Sequence, residues 1–215
     1  MPQPTKSIIY SMLGEMYDAY YGINKTKIYR QTPNKTDPDN IFTYDIRRIV
    51  DEAIKYYTLS LQEVELLCNE PIGKYRAFLL QDKDVSYQPT LYNLLANRAL
   101  SFYSKFFDYV PFFKPVFLVN NPDYFADAQT FSNLTIEPEE KLSLSYQSLK
   151  TYQELLRFHL KQCDAEVSPD AMAALIDVDL RRVFYLRVKG DYTEKDKLFE
   201  EALIRMSKAY FFIFN

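Results

Sequence analysis

The 215-residue sequence has few of the side chains on which catalysis and metal binding usually depend: one histidine, two cysteines and four glycines, with no tryptophan. Cys68 and Cys163 are too few for a cysteine zinc site; they form a disulfide if the fold brings them together, but we favour two buried free thiols. The glycines are isolated, so the sequence has no glycine-rich phosphate-binding motif. We therefore expect no metal and no cofactor.

The sequence also lacks an excess of positive charge and any long apolar run. With 26 Lys and Arg against 29 Asp and Glu its net charge is −3, which argues against a nucleic-acid partner. No stretch is apolar for long enough to be a transmembrane segment, and residues 1–6 do not begin a signal peptide. These features predict either a cytosolic protein or a piece of a longer exported one.

Aromatic residues are abundant by contrast, with 19 Tyr and 16 Phe. Their rings either fill the wide gaps between packed helices or, in part, face outward to bind a partner or a sugar. Most of the tyrosines fall on predicted apolar helix stripes, which favours the first interpretation.

The clearest pattern lies in residues 142–188, which predict two amphipathic helices folded back on each other across a polar break at 162–168. Apolar residues recur at steps of three, four and seven, which keeps them on one side of each helix. They are Leu142, Tyr146, Leu149, Leu156, Leu160 and Cys163 in the first helix, and Met172, Leu175, Ile176, Val183 and Leu186 in the second. Between the apolar positions of the second helix fall Asp177, Asp179, Arg181 and Arg182, which we expect to form salt bridges.

The same periodicity predicts further helices over residues 5–21, 43–68 and 88–107, and a last one capped by Thr193. We expect Gly22 to end the first helix in a left-handed conformation, and Met12, Leu13 and Met16 to lie on its buried face.

The remaining segments are less regular. Residues 23–40 are predicted to form a loop, and residues 75–80 either a short strand or a helical turn. The proline-rich residues 108–140 are predicted to form an irregular connector with one short helix capped by Asn121. The charged side of the second helix, which pairs Asp51 with Lys55, is expected to be solvated. Residues 211–214 are apolar enough that we expect them to be covered.

No motif specifies a chemistry. His159 lies among leucines and is predicted to be a core or helix-surface residue. Asp177 and Asp179 are two positions apart and point away from each other on a helix, which makes them a poor acid–base pair. Asp37 and Asp39 lack the spacing of a calcium loop and read as turn residues. We expect the protein not to be an enzyme.

Six phrases in order resemble the N-terminal helical region of large bacterial proteins of the alpha-2-macroglobulin family, and the resemblance spans nearly the whole chain. They are SMLGEMY (11–17) followed by YY (20–21), KIYRQT (27–32), DIRRIV (45–50), QPTLYNLLANRAL (88–100), YQELLRFHL (152–160) and ALIDVDLRR (174–182). The reactive Cys-x-Glu-Gln thioester of many family members is missing, so no residue takes that role.

The resemblance implies a fragment of an exported, periplasmic or outer-membrane-associated protein whose other domains entrap proteases. This chain would be a non-enzymatic helical scaffold whose partners are the rest of that polypeptide and proteases. The candidate partner-binding residues are Tyr20, Tyr21, Tyr29 and Arg30, which lie in the first two phrases.

The predicted fold is all-α, with antiparallel helical hairpins stacked in a superhelical arrangement similar to tetratricopeptide arrays. We expect a single helical domain with a first helical part (1–107), the connector (108–140) and a second helical part (141–215).

Two alternative functions stay open. A glycan-binding helical outer-membrane lipoprotein would present coplanar tyrosines in one groove, between Tyr17 and Tyr29 or between Tyr75 and Tyr92. A plain protein–protein adaptor with stacked helices is the other.

Overall fold

The protein is all-α, as the sequence predicts. The computed structural model describes residues 2–30, 37, 39–75, 90–105, 117–137, 143–165 and 168–210, which contain eight α-helices. Within these ranges the β-structure is limited to one bridge between Pro71 and Thr90. The helices are α1 (Thr5–Ile28), α2 (Ile46–Ser60), α3 (Val64–Cys68), α4 (Leu91–Lys105), α5 (Ala128–Asn133), α6 (Leu144–Ala165), α7 (Pro169–Lys189) and α8 (Lys195–Tyr210).

Helices α1 and α2 pack side by side in antiparallel orientation. The ring centroid of Tyr10, early in α1, lies 6.0 Å from that of Tyr56, late in α2. The ring centroid of Tyr20, late in α1, lies 6.4 Å from that of Phe42, which precedes α2. Asp45 caps the start of α2 by accepting a hydrogen bond from the Arg48 N–H at 2.8 Å.

Helices α6 and α7 form the antiparallel hairpin predicted from their apolar stripes. The Tyr152 ring lies 5.7 Å from that of Tyr185, and the Tyr152 hydroxyl donates to the carbonyl of Arg181 at 3.4 Å. Ser168 caps α7 by accepting from the Ala171 N–H at 3.2 Å, with a proline next in the chain.

The largest apolar cluster connects the two predicted helical parts. It contains Leu91 and Leu95 of α4, Leu155 of α6, Leu186 of α7 and Phe199 of α8. Removal of such side chains from water is the main favourable term in folding. The stacking of helical pairs into a tetratricopeptide-like superhelix remains a prediction.

The predicted end of α1 at Tyr21 is wrong, because the helix continues to Ile28. Gly22 lies inside it and does not adopt the left-handed conformation. Tyr21 and Ile28 are seven residues apart, face the same side, and are buried in a small cluster with Tyr44 and Ile49. Burial of this face holds the last two turns in helical form, so Gly22 does not end them.

We predict that Gly22→Ala stabilises the protein by about 0.5–1 kcal/mol, the usual gain in helix propensity. A Cβ at Gly22 would meet no atom within 4 Å. Denaturant unfolding monitored by circular dichroism measures the change. A loss of stability would instead indicate a left-handed Gly22.

Other boundaries also differ from the prediction. The expected helix over residues 43–68 is two helices, because the chain turns at Leu61 and brings Leu67 into the large cluster, whereas Ile54 belongs to a smaller one. Helix α4 begins at Leu91, and α8 begins at Lys195, so the residue before α8 is Glu194 and not Thr193. The short helix predicted after Asn121 is a 3₁₀ helix, Pro122–Phe125, and its cap is confirmed: the Asn121 side chain accepts from the Asp123 N–H at 3.0 Å.

Helix α5 was not predicted. Its first turn is held by Asp127, whose carboxylate accepts from the N–H and the hydroxyl of Thr130 at 2.9 and 2.8 Å. The predictions for residues 76–80, for the connector at 108–116 and 138–140, for Leu142 and for residues 211–214 lie outside the described residues.

Candidate functional site

The first half of the inner face of α1 is made of small residues. Ser7, Ser11 and Gly14 are buried at intervals of four and three, which places them on one side of the helix. A Cβ added to Gly14 would meet ring atoms of Tyr57 at 2.8–3.0 Å. This face therefore brings the α1 backbone directly against the Tyr57 side chain of α2.

The opposite side of α1 is its outer face, which is formed by Thr5, Ile9, Met12, Met16, Ala19 and Ile23. Met12 is 51%, Met16 64% and Ile23 84% exposed. The prediction that Met12 and Met16 are buried is therefore wrong, and Leu13 is half-buried. Helix α1 carries apolar side chains on all its sides, so periodicity alone does not select the buried one. The small residues allow a closer contact between helices than the methionines do, and the side that carries them is therefore the buried one.

We predict that Gly14→Val destabilises the protein by about 1–3 kcal/mol, the usual cost of overpacking a filled core. Tyr57 cannot move aside easily, because it is 3% exposed and its ring lies 5.2 Å from that of Phe102. Chemical denaturation measures the change, with Gly22→Val as the matched substitution at a helical glycine in open space. Equal effects of the two substitutions would contradict the close contact at Gly14.

Beside the outer face, tyrosines and cations alternate along the α1–α2 pair. The rings of Tyr17 and Tyr56 stack with centroids 5.7 Å apart and planes 14° apart. Lys55 Nζ lies 4.9 Å from the centroid of the Tyr56 ring, and the Arg48 guanidinium 5.5 Å from that of Tyr44. Such contacts of cations with ring faces are favourable electrostatically.

Glu52 joins these cations. Its carboxylate lies 2.7 Å from Arg48 Nη2 and 2.9 Å from Lys55 Nζ, and its side chain is only 8% exposed. Burial, followed by the negative charge of Glu52, raises the pKa of Tyr17 to about 12. The expectation of a wholly solvated charged side is thus wrong at Glu52, because the cations on either side of it allow its burial.

The four candidate partner-binding residues lie at the C-terminal end of α1. Tyr20 is half-buried with its ring edge against Phe42, and Arg30 is exposed. Tyr29 is 37% exposed, and its hydroxyl accepts from that of Tyr21 at 3.2 Å. Tyr21 is only 3% exposed, so its ring packs inside the fold beneath Tyr29.

The tyrosine groove proposed between Tyr75 and Tyr92 for glycan binding does not have the expected form. Tyr92 is 1% exposed and packs in the largest core cluster, so it presents no ring to a groove with Tyr75. Tyr17 uses a ring face to stack on Tyr56. Sugar stacking requires an open aromatic face, which the structure does not give to Tyr92.

A buried ion pair holds α7 against the 3₁₀ helix Pro122–Phe125 and the residue that follows it. Arg182 has a fully buried side chain, and its guanidinium lies 2.7 Å from the carboxylate of Asp179, which is 2% exposed. Arg182 also donates to the carbonyls of Tyr124 and, at 2.7 Å, of Ala126. Burial lowers the pKa of Arg182 while Asp179 opposes that shift. The predicted salt bridge exists, but the position of both residues in the core was missed.

A sequence signal for this burial exists. Leu175, Asp179, Arg182 and Leu186 are spaced by four, three and four residues, which is the spacing of one helix side. The charged pair thus lies on the apolar stripe of α7 and not between its positions. Asp177 and Arg181 form the expected salt bridge at 2.7 Å, half-exposed.

His159 is a core histidine of α6 with no exposed surface. Its Nε2 lies 2.8 Å from the amide nitrogen of Asn93, whose amide oxygen accepts from the Thr90 hydroxyl at 2.7 Å. The other ring nitrogen, Nδ1, is buried and has no hydrogen-bond partner among the described residues. Burial lowers the pKa of His159 to about 4. The ring is therefore neutral at physiological pH.

The described segments contain few side chains arranged for metal binding or for nucleophilic catalysis. They contain no cluster of three or more His, Cys, Asp or Glu side chains that could hold a metal ion. Cys68 and Cys163 are free and half-buried, and burial raises the pKa of the Cys68 thiol to about 12, so its reactive thiolate is scarce at neutral pH. An open depression of about 520 Å³ beside α3 is lined by ordinary surface side chains: Gln62, Glu63, Val64, Glu65, Leu66 and Asn69.

Comparison with known proteins adds no relative. No family model matches the chain, and neither a curated protein nor a solved structure matches it. Among the helices in the described ranges, none combines the length and apolar character required to span a membrane.

Proposed function

We propose that this chain is a non-enzymatic helical scaffold that binds other protein segments. The observation that carries the proposal is the outer face of α1, where Met12, Met16 and Ile23 are exposed on a helix already packed through its opposite side. Exposed apolar surfaces of this kind are typical of protein–protein contact sites. Methionine side chains adapt readily to a partner surface.

The polar core supports the same proposal. Arg182 and Asp179 satisfy each other and bind backbone carbonyls, and His159 binds Asn93. These are the buried groups best suited to acid–base or electrostatic catalysis, and their hydrogen bonds hold helices and turns together. Their partners are structural, which favours a scaffold over an enzyme.

We further propose that the scaffold belongs to a macroglobulin-like protease inhibitor that is periplasmic or associated with the outer membrane. The support for this step is the six-phrase resemblance in the sequence, and the all-α fold agrees with the helical region that the resemblance implies. Its partners would be the other domains of that polypeptide and, through them, proteases.

The reading frame on both sides of the segment tests this larger assignment. We expect it to continue for roughly a thousand residues, equivalent to several further domains, behind a signal peptide. A frame confined to the present 215 residues would contradict the inhibitor assignment. The scaffold proposal would then apply to a separate adaptor protein.

A further inference from the structure

We propose that the outer face of α1 docks an amphipathic helix that carries acidic residues along one edge. This inference rests on the proposed scaffold function and identifies the kind of segment that the scaffold binds. It does not depend on the macroglobulin assignment.

The shape of the outer face fits a helix. Positions 5, 9, 12, 16, 19 and 23 follow the helical period and hold Thr, Ile, Met, Met, Ala and Ile, so no charge interrupts this side. From Thr5 to Ile23 it extends for about 27 Å, or five turns. A helix that is apolar on opposite sides is normally covered on both. A second helix laid along α1 would cover it.

The charges beside the outer face determine the kind of helix. Four cations, which we call the basic rim, follow the edge between α1 and α2: Lys6, Lys55, Arg48 and Lys27. Lys6 lies near the start of α1 and Lys27 near its end, and the antiparallel arrangement places Lys55 and Arg48 between them. All four are exposed and lie within 5.6 Å of an aromatic ring centroid.

The rim keeps an excess of positive charge despite its carboxylate. Glu52 is shared by Arg48 and Lys55, so one negative charge faces two positive ones, and it is almost wholly buried. Lys6 and Lys27 add further positive charge at the ends of α1. Carboxylates on the edge of an incoming helix would face these cations, and complementary charge favours both the encounter and the register.

The opposite edge of α1 differs in charge. Glu15 lies there and forms an ion pair with Arg98 of α4. The outer face therefore has one basic edge and one edge whose carboxylate is already paired. A docked helix is expected to place its acidic side along α2 and a neutral or basic side along α4.

The same asymmetry argues against a second copy of the chain. In an antiparallel two-fold dimer through α1, each edge meets its own equivalent, so the two basic rims would face each other. In a parallel dimer the rim would meet Glu15, which already pairs with Arg98. Neither arrangement supplies the acidic edge that the rim favours.

Binding of designed peptides to the purified protein tests the proposal. The probe is a fluorescent peptide of about 18 residues, long enough to cover the outer face, with a leucine stripe and glutamates along one edge. The matched peptide has lysines in place of the glutamates, and a third has the glutamate composition in scrambled order. We expect the glutamate peptide to bind at least about tenfold more tightly than either, with the preference falling at high salt.

Substitutions locate the binding. Met12→Glu/Met16→Glu is expected to lower the affinity for the glutamate peptide by about tenfold or more, because it places negative charge in the apolar contact. Val188→Glu on α7 is the control, because Val188 is 66% exposed, close to the 64% of Met16. Lys6→Glu/Lys27→Glu is expected to remove the preference for glutamate over lysine peptides. Circular dichroism melts check that each variant remains folded.

Three results would overturn the inference. Equal binding of glutamate and lysine peptides would remove the role of the rim, and binding unchanged by Met12→Glu/Met16→Glu would place the site elsewhere. A dimer in sedimentation that the same substitution dissociates would make a second copy the occupant. The reading frame tests the inhibitor assignment separately, so the two proposals can fail independently.

Discussion

Replacement of Arg182 by leucine should lower the free energy of unfolding by about 3–5 kcal/mol, the usual cost of removing one partner from a buried ion pair. The substitution leaves the Asp179 carboxyl group without its guanidinium partner at 2% exposure and removes the donors to the carbonyls of Tyr124 and Ala126. It also removes the guanidinium that lies 4.4 Å from the centroid of the Phe131 ring. Urea unfolding measures the loss.

Arg157→Leu is the matched control. Arg157 also follows its acidic partner, Glu154, by three residues on a helix, but the two side chains are 39% and 36% exposed. Exposed pairs of this kind contribute about 0–1 kcal/mol. Equal losses for Arg182→Leu and Arg157→Leu would contradict a structural role for the buried pair.

A double substitution separates charge from packing. Asp179→Leu/Arg182→Leu removes the uncompensated carboxylate, so it should be more stable than Arg182→Leu alone, although the carbonyls of Tyr124 and Ala126 still lack their donors. If the double variant is less stable than the single one, the isolated charge is not the cause of the loss.

Acidification should destabilise the protein through His159 before carboxylates titrate extensively. The ordinary pKa of histidine is 6.5 and burial lowers that of His159 to about 4, so the unfolded chain binds the proton more readily in between. The contribution of neutral His159 to the free energy of unfolding is therefore fully present above pH 6.5 and declines as the pH falls towards 4. Below that pH it does not change further. At about 1.4 kcal/mol per pH unit, the total is about 3 kcal/mol.

His159→Gln is the control for this pH dependence. The chain has one histidine, so the variant lacks the group that titrates near pH 6.5, while the glutamine oxygen is able to accept from Asn93. As the pH falls from about 7 to about 5, through the ordinary histidine pKa, the free energy of unfolding of the natural protein should decline. That of the variant should stay nearly constant. Parallel slopes in the two proteins would contradict a neutral buried His159.

Most of the helical architecture was predictable from the sequence. The α6–α7 hairpin was predicted because apolar and polar residues segregate clearly there and a short polar break separates the two helices. The end of α1 was not predictable from Gly22, since burial of Ile28, seven residues after Tyr21, overrides the local preference of a glycine. Tertiary packing decided where that helix ends.

The surface and the polar core were harder to predict. Apolar side chains surround α1, so periodicity could not decide whether Met16 or Gly14 faces the core; the fit of Gly14 against Tyr57 decides it. Arg182 was assigned by its charge to a position outside the stripe, although its spacing from Leu175 and Leu186 indicated the core. The signal that was missed is a basic residue at a position of the apolar stripe with an acidic residue three positions before it.

Methyl NMR of methionine tests the central claim, docking on the outer face of α1, most directly. With ¹³C-labelled methionine methyl groups, Met12 and Met16 report on the outer face, whereas Met206 is 5% exposed in α8 and Met172 packs against the core from α7. The account predicts that the glutamate-edged peptide shifts the Met12 and Met16 signals in proportion to its binding and leaves those of Met172 and Met206 in place. Saturable binding that leaves Met12 and Met16 unshifted would contradict it.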